Sequence, residues 1–216
     1  MIISDKYRCI FIRIPKTGST TIENLLIAAD PDCLSSDNST PPYGHHGWPA
    51  VREMAGERWD TYFKFAFVRN PYSWFLSNYS DHMKYSLEDV WGVHEILNEK
   101  HQLPTPWNFI IDAPRVMALA SMIQFWYHGD YLGGKYNRIV TQSAWVPPGI
   151  DFVGKMESFD EDLEIVAEAI GLELTEKAPQ ENKSNSERLM LDKTGARLLT
   201  ALYDEDFERF GYERKG

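Results

Sequence analysis

Residues 7–29 read YRCIFIRIPKTGSTTIENLLIAA, and the spacing of apolar residues changes halfway through. Tyr7 to Ile14 is a short run rich in Ile and Phe, the pattern of a buried strand. Pro15-Lys16-Thr17-Gly18-Ser19 has the composition of a turn. From Thr20 onward, Ile22, Leu25, Leu26 and Ala29 stand at i, i+3, i+4 and i+7, one face of an amphipathic helix that stops before Pro31. A strand, a tight glycine loop and a helix in this order aim several backbone N–H groups and the positive helix end at one point. That geometry holds phosphate-like anions. Ser19, Thr20 and Thr21 add hydroxyl donors in the first turn, and Lys16 adds a mobile cation that can follow charge onto a leaving oxygen.

The loop differs from the ATP-binding pattern G-x-x-x-x-G-K-[ST]. Lys16 precedes Gly18 instead of following it, and no glycine opens the loop. A shorter cradle suits a phosphosulfate, whereas a γ-phosphate normally needs Mg²⁺ to bridge and neutralise it.

Working outward, Tyr62 to Val68 (YFKFAFV) is apolar on both faces, as central strands of parallel sheets are. It runs into Arg69-Asn70-Pro71, with Pro71 placed as the first residue of a helix through about Met83. Ser73 and Ser77 share one face of that helix, turned back toward its N-terminus, where Arg69 emerges. A guanidinium and a helix-borne hydroxyl at one end of a sheet make a pocket for a second phosphate.

The rest of the chain is organised around these two units. Asp30 to Trp48 is a long loop, and Pro49 to Arg58 has a helical pattern. Leu87 to Tyr127 reads mainly as helix, broken at Pro104, Pro106 and Pro114. Arg138 to Gln142 and Ile150 to Lys155 are further expected strands. Ser158 and Glu161 form a capping box that opens the helix Phe159 to Ile170, and Gly171 closes it. A polar loop, Thr175 to Ser186, precedes a final helical pair ending in Phe207, Phe210 and Tyr212. Strands alternating with helices predict one three-layer α/β domain over residues 1–216, with a mainly parallel central sheet and a phosphate loop at a strand–helix junction.

The chain has 216 residues, 43% of them hydrophobic and 25% charged, an ordinary globular composition with material for a sizeable core. Its net charge of −10 argues against nucleic acid or an anionic membrane as partner. The two cysteines, Cys9 in an apolar run and Cys33 in a polar loop, read as thiols of a reducing compartment rather than a disulfide framework. No apolar stretch is long enough to span a bilayer, and the first strand leaves no room for a signal peptide. A soluble cytoplasmic protein is expected, with an excised domain of a larger protein as the alternative; the sequence leaves its oligomeric state open.

The two phosphate motifs resemble a known family. IFIRIPKTGSTTIENLL is similar to the 5′-phosphosulfate loop of sulfotransferases that use 3′-phosphoadenosine 5′-phosphosulfate (PAPS), and FAFVRNPYSWFLSNY is similar to their 3′-phosphate motif. The resemblance extends to FVGKMESFDEDLEIVAEAIGL and LYDEDFERFGY, and is nearest to carbohydrate sulfotransferases, including heparan 2-O-sulfotransferase-like enzymes and small bacterial relatives. It implies PAPS as donor, without a metal. It places Lys16, Thr17, Gly18, Ser19 and Thr20 on the phosphosulfate, Arg69 and Ser77 on the 3′-phosphate, and Lys183 as a lesser contact. Trp74 stands where many of these proteins carry a basic residue, so altered acceptor contacts are expected there.

Transfer to an alcohol needs a proton acceptor, and histidine titrates in the useful range. Among six histidines, His45 and His46 lie between the two motifs, where the resembled family places a catalytic His or Glu. Spacing to the next helix leans toward His45 and leaves His46 open. No neighbouring Cys or His completes a zinc site around them. His82, His94, His101 and His128 have helical or surface contexts. The resemblance implies a carbohydrate or carbohydrate-bearing lipid acceptor, and Trp48, Trp91 and Trp107 are candidate stacking residues for it. Two rival readings remain. A nucleotide kinase could use the run Phe109-Ile110-Ile111-Asp112 to hold Mg²⁺, and a non-catalytic module could keep the phosphate loops alone.

Overall fold

The computed structural model describes residues 1–36, 45–82, 109–111, 116–117, 140–174 and 189–215. These belong to two compact units, one holding residues 1–70 and 141–174, the other residues 71–82, 109–111, 116–117, 140 and 189–215.

The first unit is built on a five-stranded sheet: β1 (Ile2–Ser4), β2 (Cys9–Ile12), β3 (Leu34–Ser35), β4 (Phe63–Val68) and β6 (Phe152–Lys155), in the order β3-β1-β2-β4-β6. β2 pairs in parallel with β4, aligning Ile12 with Ala66, and β4 pairs in parallel with β6, aligning Val68 with Lys155. β1 is antiparallel to both β2 and β3. Four strands therefore run one way and β1 runs against them: an α/β fold on a mixed, mostly parallel sheet. The three- and two-residue strands β1 and β3 are too short to show a period in the sequence, which is why only β2, β4 and β6 were anticipated.

Alternation along the strands sets the two faces. Phe11, Phe65 and Phe67 point to one face, where α1 (Ser19–Ala29) contributes Ile22 and Leu26 and α5 (Phe159–Ile170) contributes Phe159, Leu163 and Val166. The Phe11 and Phe65 rings stack at 4.9 Å, and Phe67 meets Phe159 at 5.3 Å. Each such buried ring contributes roughly 2–3 kcal/mol of transfer free energy. The alternate residues Ile10, Ile12, Ala66 and Val68 are fully buried as well. α2 (Trp48–Ala55) packs against β2. It stops at Gly56 (φ 56°), so the expected single helix to Arg58 is two pieces, the second being α3 (Arg58–Thr61).

Other expectations need correction. Val140 and Thr141 are not strand, and Gln142–Ala144 is one turn of 3₁₀ helix whose Ala144 N–H donates to the carbonyl and the hydroxyl of Thr141. The β-branched Ile139-Val140-Thr141 run imitates a strand pattern; Arg138 and Ile139 lie outside the described residues. α5 has its expected span and its left-handed Gly171 cap, but Ser158 does not cap it by side chain. Instead the Ser158 hydroxyl donates to the Asp162 carboxylate (2.8 Å), which also accepts the Lys155 N–H (2.6 Å).

The second unit contains α4 (Pro71–His82), α6 (Lys193–Leu202), α7 (Asp204–Phe210) and a two-stranded parallel sheet of β5 (Phe109–Ile111) and β7 (Leu189–Leu191). Residues 109–111 were expected within a mainly helical region and are strand. Tyr72 holds this unit together: its hydroxyl meets Thr200 Oγ1 at 2.6 Å, and its ring packs on Phe207 at 4.8 Å.

Candidate functional site

β2 ends at Ile12 and α1 begins at Ser19, so Arg13 to Gly18 form the connecting loop at the C-terminal end of the strand. Lys16 (φ 64°) and Gly18 (φ 73°) both adopt left-handed backbone. For a lysine this costs on the order of 1 kcal/mol, so the surroundings must impose it. Part of that constraint is Thr17, which is fully buried and donates its hydroxyl proton to the Ile14 carbonyl at 2.9 Å. The Thr17 hydroxyl proton is therefore committed within the loop. Gly18 is required for space as well as for φ. A Cβ there would stand 2.6 Å from Met156 Sδ and 3.0 Å from Phe159 Cε2.

The loop therefore presses on the β6–α5 exit and opens into α1 with no side-chain cap and no acidic residue in the first turn. The positive end of α1 carries no carboxylate of its own, which suits an incoming anion. Ser19 and Thr21 are buried in that turn, and Lys16, Gly18 and Thr20 are half-buried.

Behind the loop lies an ion pair that sequence reading missed. Arg13 Nη1 meets Glu23 Oε1 at 2.6 Å, with both side chains 4% exposed. This pair ties the end of β2 to α1. The Arg13 carbonyl faces the Nδ1 of His45 at 3.2 Å. A carbonyl only accepts, so the neutral ring carries its proton on Nδ1 and leaves the Nε2 lone pair available. Burial, with the Arg13 guanidinium second, pushes His45 down to about 3, so the ring is neutral at physiological pH. His46 is also lowered by burial, and no hydrogen bond fixes its ring among the described contacts.

The second motif ends the neighbouring strand. Arg69 follows Val68 at the C-terminal end of β4, beside the strand that carries the phosphate loop. Its main chain is gripped by Gln142: the Arg69 N–H donates to Oε1 at 2.8 Å, and Nε2 donates to the Arg69 carbonyl at 2.7 Å. The next N–H, of Asn70, donates to Glu157 Oε1 at 2.8 Å.

In the second unit, Ser77 is buried on α4 and Ser73 is half-buried. Trp74, expected to alter acceptor contacts, is fully buried and lies edge-on to Tyr203 at 5.6 Å, so it is a core residue. Trp48 is half-buried and packs near Trp59, with ring centres 6.4 Å apart. Lys183, Trp91, Trp107, Asp112, His94, His101 and His128 lie outside the described residues. Residues 109–111, the apolar run of the kinase reading, form a strand paired with β7 in the two-stranded sheet. Among the described residues no group of His, Cys, Asp and Glu could hold a metal, and no helix is long and apolar enough to cross a membrane.

With the phosphate-loop candidate and Arg69 thus on adjacent strand ends, comparison with known proteins decides the family. The sulfotransferase family model matches residues 1–114, which span both motifs. The chain belongs to the sulfotransferase family. Over nearly its whole length this sulfotransferase-family chain is similar to carbohydrate sulfotransferase 10 of Xenopus laevis, at 26% identity with 98% of this chain and 66% of that protein aligned. The Gallus gallus protein of the same name is 24% identical, with 97% and 65% aligned, and the Mus musculus one 23%, with 98% and 66%. The chain thus spans 65–66% of the length of these relatives. No solved structure gives a significant match.

Proposed function

We propose that the protein transfers a sulfuryl group from PAPS to a carbohydrate hydroxyl. The observation that carries the reading is the pairing of β2 with β4, which sets the uncapped Lys16–Thr21 cradle and Arg69 at the same end of adjacent parallel strands. Such a crevice outside the carboxyl ends of parallel strands is where α/β sheets bind ligands. The donor fits the residues present: the cradle offers N–H groups, hydroxyls and Lys16, and its tight backbone tolerates no side chain at Gly18. Carbohydrate as acceptor class follows the names of the relatives; the resemblance to the heparan 2-O-sulfotransferase-like branch is kept only as a narrower form of the same proposal.

PAPS, when bound, supplies the activated sulfuryl group. Lys16 and the N–H groups from Lys16 to Thr20 bind and neutralise oxygens of the 5′ arm, which lowers the cost of charge growing there. Arg69 holds the 3′-phosphate by charge-assisted hydrogen bonds; Ser77 is assigned to the same phosphate, and Lys183 to the cofactor, by family resemblance alone. His45 is the base, accepting the acceptor's proton at Nε2 while Nδ1–H stays on the Arg13 carbonyl. His46 is the less favoured candidate because no such contact orients it. A cytoplasmic setting remains part of the proposal, resting on the free thiols of Cys9 and Cys33.

Calorimetry tests the donor. 3′-Phosphoadenosine 5′-phosphate should bind more tightly than adenosine 5′-phosphate, and ATP with Mg²⁺ should bind no better than the latter. Label transfer from ³⁵S-PAPS to a panel of oligosaccharides then tests the chemistry. Preferential binding of ATP with Mg²⁺ would restore the kinase, and binding without transfer to any acceptor would leave a nucleotide-binding module.

A further inference from the structure

We infer that Gln142 is a positioning residue: its carboxamide fixes the backbone of Arg69 and so aims the guanidinium at the 3′-phosphate. The inference rests on the proposed role of Arg69 and adds a residue from a distant part of the chain to that site.

β4 pairs with β2 as far as Ala66 and with β6 as far as Val68, where β6 ends at Lys155 and turns into the Met156–Ser158 3₁₀ turn. Arg69 is thus the first residue beyond the parallel ladder with β6. Its N–H and C=O would need water or a side chain as partner. Gln142, with 0% exposure, provides both partners from one carboxamide. A carboxamide has the donor and acceptor of a peptide, so it acts as one more rung of the ladder.

Holding the N–H and the C=O of the same residue fixes its φ and ψ together. The direction of the Cα–Cβ bond, from which the guanidinium extends, is then fixed too. The Asn70 N–H on Glu157 locks the following peptide plane in the same sense. Gln142 itself is held by its place in a 3₁₀ turn whose start is capped by Thr141. A buried Gln committed at both ends to one peptide is costly to replace with an apolar side chain, because two buried polar groups lose their partners. Placement at a strand end bearing a candidate anion contact gives that rigidity a use: a preorganised guanidinium loses less freedom on binding.

The test compares two nucleotides that differ only in the 3′-phosphate. The affinity ratio of 3′-phosphoadenosine 5′-phosphate to adenosine 5′-phosphate is measured by calorimetry for wild type, Gln142→Met and Gln142→Glu. Gln142→Met should lower the ratio about tenfold, the scale of one misdirected charge-assisted hydrogen bond, and leave the affinity for adenosine 5′-phosphate unchanged. Gln142→Glu adds a signature that loss of packing cannot produce. A protonated carboxyl reproduces both contacts, whereas a carboxylate repels the Arg69 carbonyl. The ratio for Gln142→Glu, normalised to wild type at each pH because the 3′-phosphate itself titrates, should approach wild type at low pH and fall as pH rises. This series also decides the matter should Gln142→Met fail to fold.

A normalised ratio that stays at the wild-type value in Gln142→Met, or at every pH in Gln142→Glu, overturns the inference while leaving the reading of Arg69 intact. A wild-type protein with no preference for the 3′-phosphate overturns both.

Discussion

The neutral His45 ring makes a quantitative prediction about acid. Burial and the Arg13 guanidinium lower its pKa from 6.5 to about 3, a difference of 6.5 − 3 = 3.5 units. At about 1.4 kcal/mol per unit, the folded protein prefers the neutral ring by up to about 5 kcal/mol. Between pH 6.5 and 3 the unfolded chain binds the proton and the folded chain does not, so stability rises with pH across that window. The contribution is complete above about pH 6.5 and is lost as pH falls toward 3. At pH 5 the exposed segment is 1.5 units, or about 2 kcal/mol. Urea denaturation of wild type and His45→Gln at pH 7.5 and pH 5 isolates this term, since other titrating groups cancel in the double difference. Wild type should lose about 2 kcal/mol more than the variant. The kinetic counterpart is an acid limb of kcat/KM well below pH 6.5, because the proposed base stays unprotonated there. Equal losses in both proteins, or a ring-proton NMR inflection for His45 near 6.5, would show that the ring is not held neutral by its burial and Arg13.

Three other perturbations address the same site. Lys16→Ala keeps the backbone demand at that position and removes the cation, so turnover should drop by about 100-fold or more with the thermal midpoint within a few degrees of wild type; near-normal activity would remove Lys16 from the chemistry. Glu23→Ala strands the buried Arg13 charge and should cost about 3–5 kcal/mol in chemical denaturation, a loss below about 1 kcal/mol indicating that the guanidinium finds water instead. Gly18→Ala combines left-handed strain with a 2.6 Å approach to Met156 Sδ and should cost about 2–4 kcal/mol. Adding Met156→Ala should return the steric part and leave the backbone part, whereas no recovery would mean that the contact is not what limits position 18.

What could be read in the sequence was whatever a local pattern fixes. β2, β4, α1, α4 and α5 carry runs long enough to show their period, and both strand–loop–helix units stood out before any geometry was known. The features that give the site its precision are long-range, and no local pattern encodes them. Arg13 sits in a run that reads as plain buried strand; only the fold brings Glu23, ten residues on, against its guanidinium. His45 and His46 are chemically identical in a loop, and what separates them is a single carbonyl, that of Arg13, reached by Nδ1 of one ring. Gln142 looked like the tail of a β-branched strand, because a side chain that imitates a peptide has no signature until the peptide it serves is beside it. Trp74 adds what motif comparison lacked: where many resembled proteins carry a basic residue, this chain buries an indole against Tyr203. In this chain the charged groups assigned to the donor follow local rules, and the buried ion pair and buried carboxamide behind them follow topology. Substitutions in the first set should therefore act on affinity or turnover with little change in fold, and substitutions in the second should act on both at once.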